Sequence, residues 1–144
     1  MKFRTVNLSY VLLVCLSLAI TACATVDKSK RLDLLDINLT DFRKAVRWGY
    51  YDEATRYIQI KDYKEPLRSP DTLKNIRITS YEYGKKFLSD EETRLEVTAV
   101  ISFYDVNRGT VSTISDNQIW WFDAEKKFWF LDGDIPDLTG ASNH

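Results

Sequence analysis

Between Arg94 and Tyr104 the chain alternates without a break, with Leu95, Val97, Ala99, Ile101 and Phe103 on one parity and Arg94, Glu96, Thr98, Val100, Ser102 and Tyr104 on the other. Successive side chains of a strand point to opposite faces, so this is a strand with one buried and one partly wet face. Burial on one side favours antiparallel pairing. Ile76–Tyr83 repeats the period upstream. Downstream, Asn107-Arg108-Gly109 can turn the chain, with Gly109 at positive φ, into a strand from Thr110 to Phe122. Asp123–Lys126 turns it again into Phe128–Leu131. The third strand slips parity, because Val111 and Thr113 align with Trp121 whereas Ile114 aligns with Trp120 and Phe122. A bulge near Ser115-Asp116-Asn117 is expected to restore it.

Before Leu73 the period is helical. Leu39, Phe42, Ala45 and Val46 recur on one side, with Asp41, Arg43, Lys44 and Arg47 between them, so an amphipathic helix is expected there. Asn38 or Thr40 can cap its N-terminus. Gly49 interrupts it, and Tyr50–Ile58 forms a second short helix with Ala54, Tyr57 and Ile58 on one side. No second copy of this hairpin follows at a period near 34 residues, which excludes a repeat array. Ser69-Pro70-Asp71 suits one short helical turn. The expected fold class is α+β, an N-terminal helical hairpin packed on a curved four-stranded antiparallel sheet.

The N-terminus belongs outside this fold. Lys2 and Arg4 precede the apolar run Val11–Ile20, which at about ten residues is half of what a membrane-spanning helix needs and matches the core of an export signal. Ile20-Thr21-Ala22-Cys23 then resembles the lipobox of bacterial lipoproteins, where small residues precede a cysteine that is acylated, palmitate included, and becomes the first residue. The resemblance implies a signal peptide at 1–22 and a lipid anchor on Cys23. Ala24 rather than Asp after the cysteine implies sorting to the outer membrane of a Gram-negative cell, with the folded part facing the periplasm. Ala22-Cys23-Ala24 also satisfies the rule for ordinary signal peptidase, which would release a chain starting at Thr25. The segment after Cys23 is polar and carries Lys28, Lys30 and Arg31, so 23–37 is expected to be a lipidated tether, 38–138 the domain and 139–144 a disordered tail.

Charge names no partner. The net charge is -1, with 20 basic and 21 acidic residues, so nucleic acid is not expected. Of the 2 cysteines, Cys15 leaves with the signal and Cys23 carries lipid, which leaves no disulfide within a mature chain.

Helices followed by long antiparallel strands with a Trp-rich end are similar to the NTF2-like, or cystatin-like cone, superfamily. The residues that carry the likeness are Trp48–Ala54, Gln118–Phe122 and Lys127–Gly133, within Leu39 to Pro136. That superfamily includes enzymes, binding domains and scaffolds, so the fold cannot choose among them.

The chemistry available is narrow. The 1 histidine is His144, at the terminus, so histidine triads, thiol nucleophiles and Cys/His zinc sites are not expected, and neither is a cofactor. Carboxylate and tyrosine chemistry remains. The resemblance implies, as one option, a histidine-free isomerase or lyase of the ketosteroid-isomerase-like type, for which Asp116 with Tyr81, Tyr83 or Tyr104 could serve. Such a site needs a buried carboxyl with a raised pKa. Asp132, Asp134 and Asp137 lack the EF-hand pattern and suit an acidic turn that closes the last strand. Trp120 and Trp121 are adjacent on a strand and must face opposite ways, so one of them, with Trp129 and Tyr104, is a candidate ligand or partner surface. The expected role is a noncatalytic envelope scaffold or protein-interaction module, held to the membrane by lipid and bound to an envelope protein. A binder of a small apolar or amphipathic molecule is the alternative, and it requires a concave pocket with few polar groups.

Overall fold

The computed structural model describes the backbone of residues 8–139 and the side chains of residues 27–139. The signal segment up to Leu8 and residues 140–144 of the expected tail lie outside the described residues. The chain forms α1 (Leu8–Trp48), α2 (Tyr51–Ala54), β1 (Ile76–Leu88), β2 (Arg94–Asp105), β3 (Val111–Asp123) and β4 (Phe128–Leu131), with 3-10 turns at Thr55–Tyr57 and Pro70–Leu73. It divides into two units, residues 1–33 and 34–144. The first is helix where it is described. The second holds the end of α1 and all four strands, which pair antiparallel in the order β1-β2-β3-β4. Helices followed by an antiparallel meander make this an α+β fold.

The first helix begins well upstream of Leu39. Residues 23–37, expected as a tether, are helical. They have no apolar stripe, but no Gly or Pro stands anywhere between Leu8 and Trp48 to stop a helix. Packing within the second unit starts about one turn before Asn38, because Leu35 and Leu39 share a helix face and are 5% and 2% exposed. Asn38 and Thr40 consequently cap nothing. Asn38 sits inside α1, buried, with no hydrogen-bond partner for its Oδ1 among the described residues.

Gly49 ends α1 as expected. Its φ is +77°, and the Gly49 and Tyr50 N–H groups donate back to the Val46 and Ala45 carbonyls at 3.2 and 2.8 Å. This is the Schellman closure, in which a left-handed residue lets the chain satisfy the last helical carbonyls. Ser69 caps the Pro70–Leu73 turn by accepting from the Asp71 N–H.

The helix meets the sheet through Phe42, whose ring is edge-on to Trp120 with centroids 5.3 Å apart. Phe42, Val46, Trp120 and Trp129 are fully buried, with Tyr81, Leu131 and Ile135 around them. The Tyr83 hydroxyl ties β1 to α1 by donating to the Leu39 carbonyl at 3.2 Å.

The expected bulge in β3 is absent. Pairing of β2 with β3 runs without interruption from Arg94↔Trp121 to Tyr104↔Val111. The register shifts lie in β1 instead, between Ile78 and Ser80 and between Tyr83 and Lys86. Regular alternation holds in β3 because polar as well as apolar side chains face the helix. In β3 the inward set is Ser112, Ile114, Asp116, Gln118, Trp120 and Phe122, so the inner face is polar in its middle.

Candidate functional site

The inward polar residues of β3 meet two tyrosines of β1 across the small side chain of Ala99. Tyr83 pairs with Ala99, and Ala99 pairs with Asp116, which sets a tyrosine and a carboxylate on either side of a methyl group. Gln118 organises the cluster. Its Nε2 donates to the Tyr81 hydroxyl and to Asp116 Oδ2, both at 2.7 Å, and its Oε1 accepts from Trp120 Nε1 at 3.1 Å. A buried amide in a core is tolerated when its groups are paired, and three of its bonds are made here.

Burial sets the titration of this cluster. It pushes the Asp116 carboxyl above its ordinary value, against the opposing pull of the Gln118 hydrogen bond and of Arg68. Tyr81 and Tyr83 are pushed up as well, chiefly by burial, so both stay protonated and neutral. A carboxyl held partly toward its neutral form beside hydroxyl groups can exchange a proton at a less acidic pH than a surface aspartate. A cavity of about 260 Å³ reaches Asp116 and Gln118 from the side of Arg68 and Asp134.

The acidic segment after β4 acts as a clasp. Asp132 is 8% exposed and takes the backbone N–H groups of Lys61, Asp62 and Tyr63 at 2.8 to 3.1 Å. Its burial favours the neutral acid, but the three N–H donors and Arg94 outweigh that and hold the carboxyl below its ordinary value. Asp134 accepts from the Arg68 N–H at 2.6 Å and pairs with the Arg68 guanidinium, which also reaches Asp137. These carboxylates fasten the long connection between α2 and β1 onto the end of the sheet.

The aromatic residues expected at a surface divide. Trp120 and Trp129 are each 0% exposed and belong to the core, which removes them from any partner surface. Both lie on the inner parity, opposite Leu131 and Phe122 respectively; Trp120 meets Phe42 of α1, and Trp129 stacks beside Phe122. Trp121 lies on the outer face, yet the connection covers it: its Nε1 donates to the Gln59 carbonyl at 3.1 Å and Lys61 Nζ stands 5.1 Å from the ring centroid. Tyr104 is half-buried on the outer face opposite Val111. Exposed aromatic surface occurs elsewhere, at Trp48 and Tyr50, which are 68% and 59% exposed on either side of Gly49. In the sequence Trp48 counts only toward the fold likeness. Its signal was available, because Trp48 falls off the apolar stripe set by Leu39, Phe42, Ala45 and Val46.

Cys23 falls on α1, and its side chain lies outside the described residues. Among the described residues no helix is long and apolar enough to cross a membrane. No protein-family model, curated protein or solved structure matches the chain.

Proposed function

We propose that this chain is a lipid-anchored envelope protein, attached through Cys23 to the outer membrane, with a periplasmic domain of NTF2-like type that works as a noncatalytic interaction module. The exposed aromatic corner Trp48-Gly49-Tyr50 carries the reading. Two large rings stand in solvent on a turn that is stiffened by two backbone hydrogen bonds, while the rings of the core are enclosed. Aromatic residues presented on a rigid turn lose little conformational freedom on binding, and such groups anchor protein interfaces. The NTF2-like assignment is supported by the order of helices and meander and by the end of α1, residues 34–48, lying on the inner face of the sheet.

Native mass spectrometry of protein extracted gently from its own membrane tests the proposal. Acylated chain in complex with a second envelope protein, with the complex lost in Trp48→Ala, is the expected result. An unmodified chain starting at Thr25 would sink the anchored reading, and a complex indifferent to Trp48→Ala would sink the aromatic corner.

A second reading rests on Asp116. Its half-buried carboxyl, bonded to the Gln118 amide that also holds the Tyr81 hydroxyl and pushed above its ordinary value, supports a histidine-free isomerase or lyase. In that reading Asp116 moves the proton. An activity that survives Asp116→Asn removes it.

A further inference from the structure

A groove of about 600 Å³ opens where the end of α1 meets the start of β1. Its floor is apolar, with Leu73 and Ile76 buried at 1% and 7% exposure. Tyr51 forms a half-buried wall and Trp48 stands at the mouth. Three cations line it, Arg47, Lys74 and Arg77, and none of the described lining residues is a carboxylate.

Each cation is held in place with its charge only partly offset. Arg77 Nη1 donates to the Lys74 and Ile76 carbonyls, both at 2.9 Å, which orients the guanidinium and leaves its charge. Arg47 donates to the Thr79 carbonyl at 3.3 Å, with its guanidinium carbon 5.9 Å from the Trp48 ring centroid. Lys74 pairs with Asp71 at 2.9 Å, but both side chains are more than 70% exposed, where such a pair is weak and easily exchanged. The negative end of α1 carries Arg47 in its last turn, and two of its terminal carbonyls, those of Ala45 and Val46, are taken by Tyr50 and Gly49.

We propose that this groove binds a small amphipathic anion, with its apolar body on Leu73, Ile76 and Tyr51 and its carboxylate or phosphate head between Arg47 and Arg77. The volume is that of a small-molecule site, and an apolar floor with a few convergent polar groups is the usual construction of one. Three cations without a facing carboxylate select the sign of the head, and guanidinium groups suit planar or tetrahedral oxyanions through paired hydrogen bonds. The inference is independent of the lipid anchor and of any protein partner.

Ligand-observed NMR on the full chain in phosphatidylcholine nanodiscs, with empty nanodiscs as the blank, tests it. The probes are octanoate, octyl phosphate, octan-1-ol and octyltrimethylammonium. Saturable binding of octanoate or octyl phosphate, about ten-fold tighter than that of the alcohol and absent for the cation, is expected. A preference for octyl phosphate would point to a phosphate-headed ligand, and a preference for octanoate to a carboxylate. The Arg47→Gln/Arg77→Gln double variant should weaken the anion about ten-fold. Lys74→Glu, an exposed change that leaves the core untouched, should weaken it several-fold and serves if the double variant fails to fold. Binding of octan-1-ol as tight as that of the anions, indifference to both variants, or no saturable binding of either anion would overturn the proposal.

Discussion

Gln118 on β3 donates a hydrogen bond to the Tyr81 hydroxyl on β1 at 2.7 Å, reaching past the intervening strand β2. The bond joins the two strands that flank β2 through side chains alone. Gln118→Leu keeps the approximate volume but leaves the Tyr81 hydroxyl, the Asp116 carboxylate and the Trp120 N–H without their common partner. A loss of about 2 to 4 kcal/mol in urea unfolding is expected, since each orphaned buried group carries its own desolvation cost. A loss below about 0.5 kcal/mol, the range of ordinary surface changes, would mean that the cluster is not a structural unit.

Asp116 and Asp132 should shape the pH dependence of stability with opposite signs. Burial raises the Asp116 carboxyl in the folded state, so the folded chain binds that proton more tightly than the unfolded chain does. The stability it contributes is complete below the unfolded carboxylate value and is lost as pH rises through the folded value. Asp116→Asn keeps an acceptor for Gln118 without the buried charge. Thermal unfolding should show the variant gaining stability over the native chain at pH 7 and not at about pH 3.

Asp132 behaves in reverse. Its burial favours the neutral acid, yet the Lys61, Tyr63 and Asp62 N–H groups and Arg94 lower its folded value. Its contribution is therefore present above the unfolded carboxylate value and disappears as pH falls through the lowered one. Asp132→Asn should cost about 1 to 3 kcal/mol at pH 7, because it weakens charge-assisted bonds to three donors. The deficit should shrink on acidification. Hydrogen exchange of the Lys61, Asp62 and Tyr63 amides, faster in the variant at pH 7, provides the local check.

Gly49→Ala tests the turn that presents Trp48 and Tyr50. A Cβ built at Gly49 meets only Tyr51 Cε2, at 3.9 Å, so space is not the obstacle. The φ of +77° is. About 1 to 2 kcal/mol of destabilisation is expected from conformation alone, read by thermal unfolding. Equal stability of the two proteins would show that the closure can relax.

Trp48→Ala should leave stability within about 0.5 kcal/mol, since the ring is 68% exposed, whereas Trp120→Ala should cost about 3 to 5 kcal/mol. Denaturant melts of the two variants compare them directly. Similar losses would contradict the placement of either ring.

The order of elements was legible because period, turns and stops are local. Leu95 to Phe103 alternate, Gly49 allows a left-handed turn, and Ser69 caps the 3-10 turn Pro70–Leu73, each within a few residues of chain. Whether a given polar residue faces the core is not local. Asp116 and Gln118 look like interruptions of an apolar pattern until β1 places Tyr81 opposite them, and only then does a polar inner face have partners. The same holds for Trp129 and Trp121, because enclosure depends on what α1 and the 59–63 segment lay over the sheet.

By itself, the sequence determined the meander, the C-terminal end of α1 and the absence of histidine before His144, since these follow from periodicity, backbone conformation and composition. The tertiary structure alone decided which rings are enclosed, that a Gln–Tyr–Asp cluster lines the inner face, and that Arg47, Lys74 and Arg77 converge. Those outcomes depend on contacts between residues far apart in the chain, 37 positions for Tyr81 and Gln118 and 62 for Gln59 and Trp121, where register and packing rather than local preference choose each side chain's neighbours.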